Sequence, residues 1–186
     1  MVVSPGEGSN IPSMRISRWV VAWILALPLL GIAEEEIADP EQGGRRNITL
    51  GAMFREEFAQ QEGAKELKNG LLYRVEETGA GKTPKLSDRV KVWYEGRRVD
   101  GQIFDQTAEN ESREFRINRD VIPGWQEVLP LMREGDKWEV VIPPELAYGA
   151  KGHPFGKIGP NETLVFKIKL VQVLEPREKI PAPESP

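Results

Sequence analysis

The chain has 186 residues and a formal charge of −4 at pH 7, with Lys and Arg scattered through it, so it offers no basic footprint for nucleic acid. It has no cysteine and a single histidine, His153, which excludes disulfides, thiolate chemistry, lipid attachment through an N-terminal cysteine and any His-rich metal site. With a targeting segment at one end and a Pro-rich tail at the other, room remains for one domain with one core.

Arg15 and Arg18 precede an uncharged apolar run, 19–33, with Gly31 and Ala33 just before the acidic Glu34-Glu35-Glu36. A basic start, a short apolar stretch and small residues at its end are the parts of a secretory signal, so 1–33 reads as a signal region cut after Ala33. The run is shorter than the roughly 20 residues of a comfortable membrane span, which makes an uncleaved anchor the second reading. Met14 is an alternative start. Residues 34–48, with Pro40, Gly43 and Gly44, read as a linker. Over 49–67 an amphipathic helical lead-in is expected, with Met53, Phe54 and Phe58 on one side and Glu56, Glu57, Gln60 and Gln61 on the other. Its length does not decide between packing on the domain and packing on a second copy.

Asn69-Gly70 signals a turn before a strand over 71–75. The loop 79–87 contains Gly79-Ala80-Gly81-Lys82-Thr83, but it lacks the spacing of a phosphate loop and opens no helix. Residues 89–94 alternate, with Val90, Val92 and Tyr94 on one face. Asp100-Gly101 is a hairpin turn that brings Phe104 and Asp105 back beside that strand. A short extended piece over 114–117 carries Phe115. Val121-Ile122-Pro123-Gly124-Trp125 then joins an extended segment to a helix whose apolar residues Trp125, Val128, Leu129 and Met132 fall at i, i+3, i+4 and i+7. Gly135 ends that helix, 137–142 is a strand, and a Pro-initiated turn over 143–149 presents Tyr148. A Gly-rich loop, 152–160, holds His153 as a loop residue and leads to a long alternating strand, 163–171. The tail 176–186, rich in Pro and Glu, has the composition of disorder.

The order of elements predicts an α+β domain: an antiparallel sheet with a helix covering one face. Tyr94, Phe104, Asp105, Phe115, Val121, Ile122, Trp125, Tyr148, Ile158 and Phe166 sit at strand ends, on inward strand phases or in connecting loops. Together they could line one apolar cavity with two phenols and one carboxylate. Each aromatic taken alone is more often plain core. Asp105 differs, because a carboxylate beside Phe104 must be solvated or hydrogen-bonded; capping a turn is its simplest alternative role.

The stretches Val92-Trp93-Tyr94-Glu95-Gly96, Asp100 to Asp105, Val121 to Trp125, Ile142 to Gly149 and Thr163 to Phe166 resemble, in order and spacing, the signatures of the FKBP-type peptidyl-prolyl cis-trans isomerases. Residues 62–65, 70–73 and 156–163 further resemble the bacterial secreted branch that includes the macrophage infectivity potentiator proteins. The resemblance covers about 65–174, and it implies an isomerase domain over 68–175 in which a five- or six-stranded antiparallel sheet wraps around the short helix near Trp125. It places Trp125 at a pocket floor and Tyr94, Phe104, Val121, Ile122 and Phe166 at its walls, with Asp105 at a polar edge. Tyr148 and the Ile122 N–H become donors to a bound peptide or macrolide, and Phe115 and Ile158 further substrate contacts. Trp93 stands where the family often has His or Asn, and its strand phase faces it away from Tyr94.

That implied activity suits the residues present. Twisting an Xaa–Pro bond costs roughly 18–20 kcal/mol because it breaks amide resonance, and lowering that barrier needs no nucleophile, metal or cofactor. An apolar pocket with a few oriented donors can favour the twisted amide. The resemblance therefore implies isomerisation of proline-containing or unfolded exported proteins in the periplasm, or at a membrane anchor facing it, with tacrolimus- or rapamycin-type macrolides as inhibitors. The alternative is a non-catalytic chaperone holding clients in the same groove or along 50–67. A hydrolase built on Asp105 and Tyr148 lacks an activated nucleophile and a base. The short lead-in favours a monomer over the dimers, common in the secreted branch, that form through a long N-terminal helical region.

Overall fold

Period-two alternation and a few glycines decide how this chain folds. The computed structural model describes residues 40–109 and 111–174, so the signal region and the tail lie outside the described residues. In chain order the elements are helix α1 (Pro40–Ala59), strands β1 (Ala64–Glu66), β2 (Leu72–Glu77), β3 (Arg89–Arg98), β4 (Ile103–Gln106) and β5 (Arg113–Arg116), helix α2 (Pro123–Val128), then β6 (Lys137–Ile142) and β7 (Leu164–Leu174). All strand pairs are antiparallel, in the order β1-β2-β6-β7-β3-β4, with β5 also pairing β3. The α+β architecture is the expected one. The sheet has seven strands because Ala64–Glu66, expected within the lead-in helix, pairs with β2 at its edge.

The strands alternate as read. Val90, Val92 and Tyr94 of β3, Trp138, Val140 and Ile142 of β6, and Leu164, Phe166, Ile168 and Leu170 of β7 form one inner core with Trp125, Val128, Leu129 and Met132. The helix expected from Trp125 onward is six residues of α2 continued by a single 3-10 turn, Leu129–Leu131, because Pro130 lacks an N–H to continue the helical ladder. A methyl on Gly124 would stand 2.6 Å from Ile142 Cγ2, so glycine is what lets α2 lie this close to β6.

The opposite face carries a second, smaller core of Phe58, Leu72, Val141 and Val165, with Phe54 and Ala64 packed against it. Here the sequence reading needs correction. Residues 40–48, expected as part of a linker over 34–48, are helical, and the lead-in expected over 49–67 ends at Ala59. Gly43 and Gly44 suggested a chain break, but Gly44, Asn47, Gly51, Phe54 and Phe58 recur at spacings of three and four and form the face docked on the domain. A methyl on Gly51 would lie 2.9 Å from Thr163 Cβ, and one on Gly44 3.2 Å from Asn161 Nδ2. The glycines serve close approach. Asn47 donates from Nδ2 to the Pro160 carbonyl at 2.9 Å.

Beside this helix Glu139, 6% exposed, accepts from Arg74 at 2.7 Å and from Arg97 at 2.8 Å. Arg74 also lies 5.7 Å over the Phe58 ring and donates to Gln61 at 2.8 Å, which ties the end of α1 to the sheet. Trp93 is on this outer face, with Lys137 Nζ 6.0 Å from its ring centroid.

Candidate active site

On the inner face a cluster of rings stands among the aliphatic chains of the sheet. Trp125 is 4% exposed, and its ring meets Tyr94 at 5.2 Å and 85°, Phe166 at 5.4 Å and 81°, and Phe115 at 5.7 Å and 76°. Phe104 meets Phe166 at 5.6 Å and 88°. These are edge-to-face contacts, favoured by the ring quadrupoles. Gly96 on β3 makes room for the last pair: a methyl there would stand 2.7 Å from Phe166 and 2.8 Å from Phe104. The Trp125 indole N–H is buried without an acceptor among the described residues, which leaves a donor at the floor of the site.

The rings enclose an open cavity of about 130 Å³, whose lining also includes Asp105, Arg113, Asp120, Val121, Ile122 and Tyr148. One edge is polar and tightly bonded. The Tyr94 hydroxyl donates to Asp105 Oδ2 at 2.5 Å, and Arg113 Nη1 donates to the Tyr94 hydroxyl at 2.5 Å and to Asp105 Oδ2 at 3.5 Å. The guanidinium also lies 5.5 Å from the Tyr94 ring centroid. Asp105 is therefore part of a pocket network rather than a turn cap. Burial, then the hydrogen bond to Asp105, pushes the Tyr94 phenol far above the usual tyrosine range. Burial, then the Asp105 charge, raises Tyr148 as well. Both phenols are neutral donors at physiological pH.

A second edge is backbone. Ile122 is extended at φ −65° and ψ 156°, with Pro123 opening α2 after it, and its N–H has no acceptor among the described residues. Its carbonyl is occupied, accepting from the Trp125 and Gln126 N–H groups at 3.0 and 3.3 Å.

Of the ten residues singled out in the sequence, Tyr94, Phe104, Asp105, Phe115, Val121, Ile122, Trp125, Tyr148 and Phe166 line this one cavity. Ile158 does not. It is 4% exposed and belongs to an adjoining cavity with Phe104, Asp105, Tyr148, His153, Phe155 and Gly156. Its side chain is held in the core because its backbone is bridged to His153. Arg113 and Asp120 were not foreseen. Arg113 was within reach of the sequence, since it precedes Phe115 by two positions on β5 and so shares its face.

The fold and site define a class: an α+β domain whose antiparallel sheet wraps a short helix around a ring-lined cavity, with neutral phenols and an unbonded backbone N–H at its rim. Residues 80–171 match the model of the family described as FKBP-type peptidyl-prolyl cis-trans isomerase. The chain is 47% identical over 111 residues to the peptidyl-prolyl cis-trans isomerase Mip of Coxiella burnetii, a match covering 60% of this chain and 48% of that protein. The solved structure of a peptidyl-prolyl cis-trans isomerase from Pseudomonas syringae pv. tomato aligns with a TM-score of 0.65 at 37% identity, covering 70% of this chain and 96% of that one. That of FkpA from Escherichia coli aligns with a TM-score of 0.69 at 44% identity, covering 73% and 63%. This chain belongs to the FKBP-type peptidyl-prolyl cis-trans isomerase family, in its bacterial Mip-like branch. It spans about half the length of the Coxiella relative.

Proposed function

We propose that the chain accelerates cis-trans rotation of Xaa–Pro bonds in exported proteins, with the prolyl ring seated on Trp125 between Tyr94, Phe104 and Phe166. The observation that carries this reading is the cavity itself: rings on its floor and walls, and neutral hydrogen-bond donors at its rim. A planar amide is strongly polarised, and a twisted one is less so. Moving the bond out of water into an aromatic cavity penalises the planar form, which is differential binding of the transition state. Each factor of ten in rate needs about 1.4 kcal/mol of that difference.

In this reading Tyr148, kept protonated by burial, and the free Ile122 N–H hold the peptide carbonyls beside the rotating bond. Asp105 and Arg113 fix the Tyr94 ring and phenol, so that this wall does not relax as the substrate twists. The same groove is the expected seat of a tacrolimus-type macrolide. The signal-like segment over 1–33 supports action outside the cytoplasm, in the periplasm.

The test is the rate of cis-to-trans isomerisation of a short Xaa–Pro peptide with the purified chain, with and without such a macrolide. Acceleration abolished by the macrolide is expected. A folded chain that gives no acceleration yet keeps an unfolded client from aggregating would sink the enzyme reading and leave the chaperone one. A holdase acting through the lead-in helix has less support, because Phe54 and Phe58 pack on the sheet.

A further inference from the structure

Beyond the part of the outer face that α1 closes, the sheet is open. There, behind the strand row that carries Tyr94, lies a groove of about 420 Å³ with Trp93 and Val171 in its lining. Strand alternation puts it there: Tyr94 faces the rings, so Trp93 beside it on β3 faces outward. Val171 is 46% exposed, and the Trp93 indole is only half-buried. The two banks differ in charge. On the β6 and β7 bank each cation is matched: Lys169 Nζ lies 2.9 Å from Glu77, and Lys137 Nζ lies 3.2 Å from Glu76 and 4.0 Å from Glu77. On the other bank, in the loop between β4 and β5, Glu109 and Glu111 are exposed carboxylates without an ion pair or a side-chain hydrogen bond among the described residues. An indole beside two unmatched carboxylates, with the neighbouring lysines already paired, is a seat for a planar cation.

Resting on the isomerase reading above, we propose that this groove holds an arginine of the bound client, several residues along the client chain from the proline, and so gives the protein a preference for basic clients. Charge chooses the occupant. A second copy of this chain is acidic overall, with a formal charge of −4, whereas Glu109 and Glu111 call for a cation. The guanidinium is flat enough to lie on the indole while donating to both carboxylates, which a lysine ammonium does less well. Continuity with the prolyl cavity makes that cation part of the client. Arg113 lines the prolyl cavity, and Ser112, the residue before it, lines the groove. The Thr107 N–H donates to the Tyr94 carbonyl at 3.0 Å, so the loop that carries Glu109 and Glu111 leaves the sheet beside the polar edge of the cavity. β4 and β5 are edge strands there, and one sheet layer separates the two sites. A client chain leaving the cavity past Asp105 and Arg113 rounds that edge in about five or six residues, at roughly 3.3 Å each.

The experiment measures kcat/KM of the full chain at low ionic strength for peptides of one length and one Xaa–Pro bond, carrying Arg, Gln or Glu six residues before the proline or six after it. The Arg peptide is expected to exceed the Gln peptide by roughly threefold on one side of the proline, with Glu slowest, and added salt should shrink the difference. Glu109→Gln with Glu111→Gln, or Trp93→Val, should remove the preference and leave the Gln peptide within about twofold. Glu109→Lys with Glu111→Lys should turn the preference toward Glu. Glu56→Gln with Glu57→Gln, the same change of charge at exposed positions of α1, should leave it intact. No preference on either side, or one that Glu56→Gln with Glu57→Gln removes as well, overturns the proposal. So does a preference seen only after Arg177→Gln with Lys179→Gln, which would seat the chain's own tail in the groove, or a dimer that Trp93→Val dissociates, which would seat a second copy there. If the chain isomerises none of the peptides, the enzyme reading fails by itself, and peptide affinities decide the groove: Arg over Glu, lost in Glu109→Gln with Glu111→Gln, upholds it, and equal affinities overturn it.

Discussion

On β7, Val165 and Phe166 are neighbours in sequence and lie on opposite faces of the sheet. Val165 is fully buried with Phe58, Leu72 and Val141 under α1, whereas Phe166 borders a cavity. Two physical differences separate the faces. The outer face is closed by a helix of 20 residues that approaches through Gly44 and Gly51, so its aliphatic chains fill the gap. The inner face is covered by a helix of only six residues, and its large side chains are planar rings that meet edge to face. Around the short helix these rings meet edge to face and leave a gap that neither they nor α2 fills. A cavity thus arises where the short helix leaves packing incomplete, and a closed face where small residues let the long helix approach.

This contrast can be broken from the outer side first. Glu139→Ala leaves Arg74 and Arg97 without their shared carboxylate and is expected to lower the unfolding free energy by about 3 kcal/mol. Urea unfolding measures the loss, and isomerase activity under native conditions should stay within twofold of the parent. A large loss of activity at intact stability would mean that the two faces are coupled. Gly51→Leu comes next: forcing a side chain against Thr163 costs about 1–3 kcal/mol, partly offset by the better helix propensity of leucine. The thermal midpoint should fall and α1 amides should exchange faster, again with little change in rate.

A smaller effect sharpens the inner side. Tyr94 and Tyr148 both titrate above the usual tyrosine value, for which burial is the first cause. Their stabilising contribution is therefore complete below about pH 10, the ordinary value, and is lost as pH rises through the raised ones. From pH 8 to 10, kcat/KM should show no ionisation of either phenol. An inflection near pH 9 that Tyr148→Phe abolishes would contradict the neutral-donor role.

Much of the inner face was legible in the sequence because it is written locally. Strand alternation fixed the phase of Tyr94 and Phe166, and Pro123-Gly124 before Trp125 marked a turn into a helix. The docking of α1 was not legible, because Gly43 and Gly44 locally resemble a break, and only the distant Pro160 and Asn161 against Gly44, and Thr163 against Gly51, show what small residues allow there. The polar edge was half legible. Asp105 stood out as a carboxylate beside Phe104, while Arg113 reads as an ordinary exposed arginine until β3 brings Tyr94 within reach. Ile158 was put in the prolyl pocket, but the bridge between His153 and Ile158, a loop geometry without periodicity, turns it into the adjoining cavity.

The most direct test of the account uses the adjacent pair on β7, Phe166→Leu and Val165→Ala, measured side by side for kcat/KM on one Xaa–Pro peptide and for stability in urea. Phe166→Leu is predicted to lower kcat/KM by roughly tenfold, equivalent to about 1.4 kcal/mol of transition-state binding, with the protein still folded. Val165→Ala is predicted to lose about 2 kcal/mol of stability and leave kcat/KM unchanged below its unfolding transition. Equal loss of activity in both variants, or a loss confined to Val165→Ala, would contradict the assignment of the chemistry to the ring-lined face.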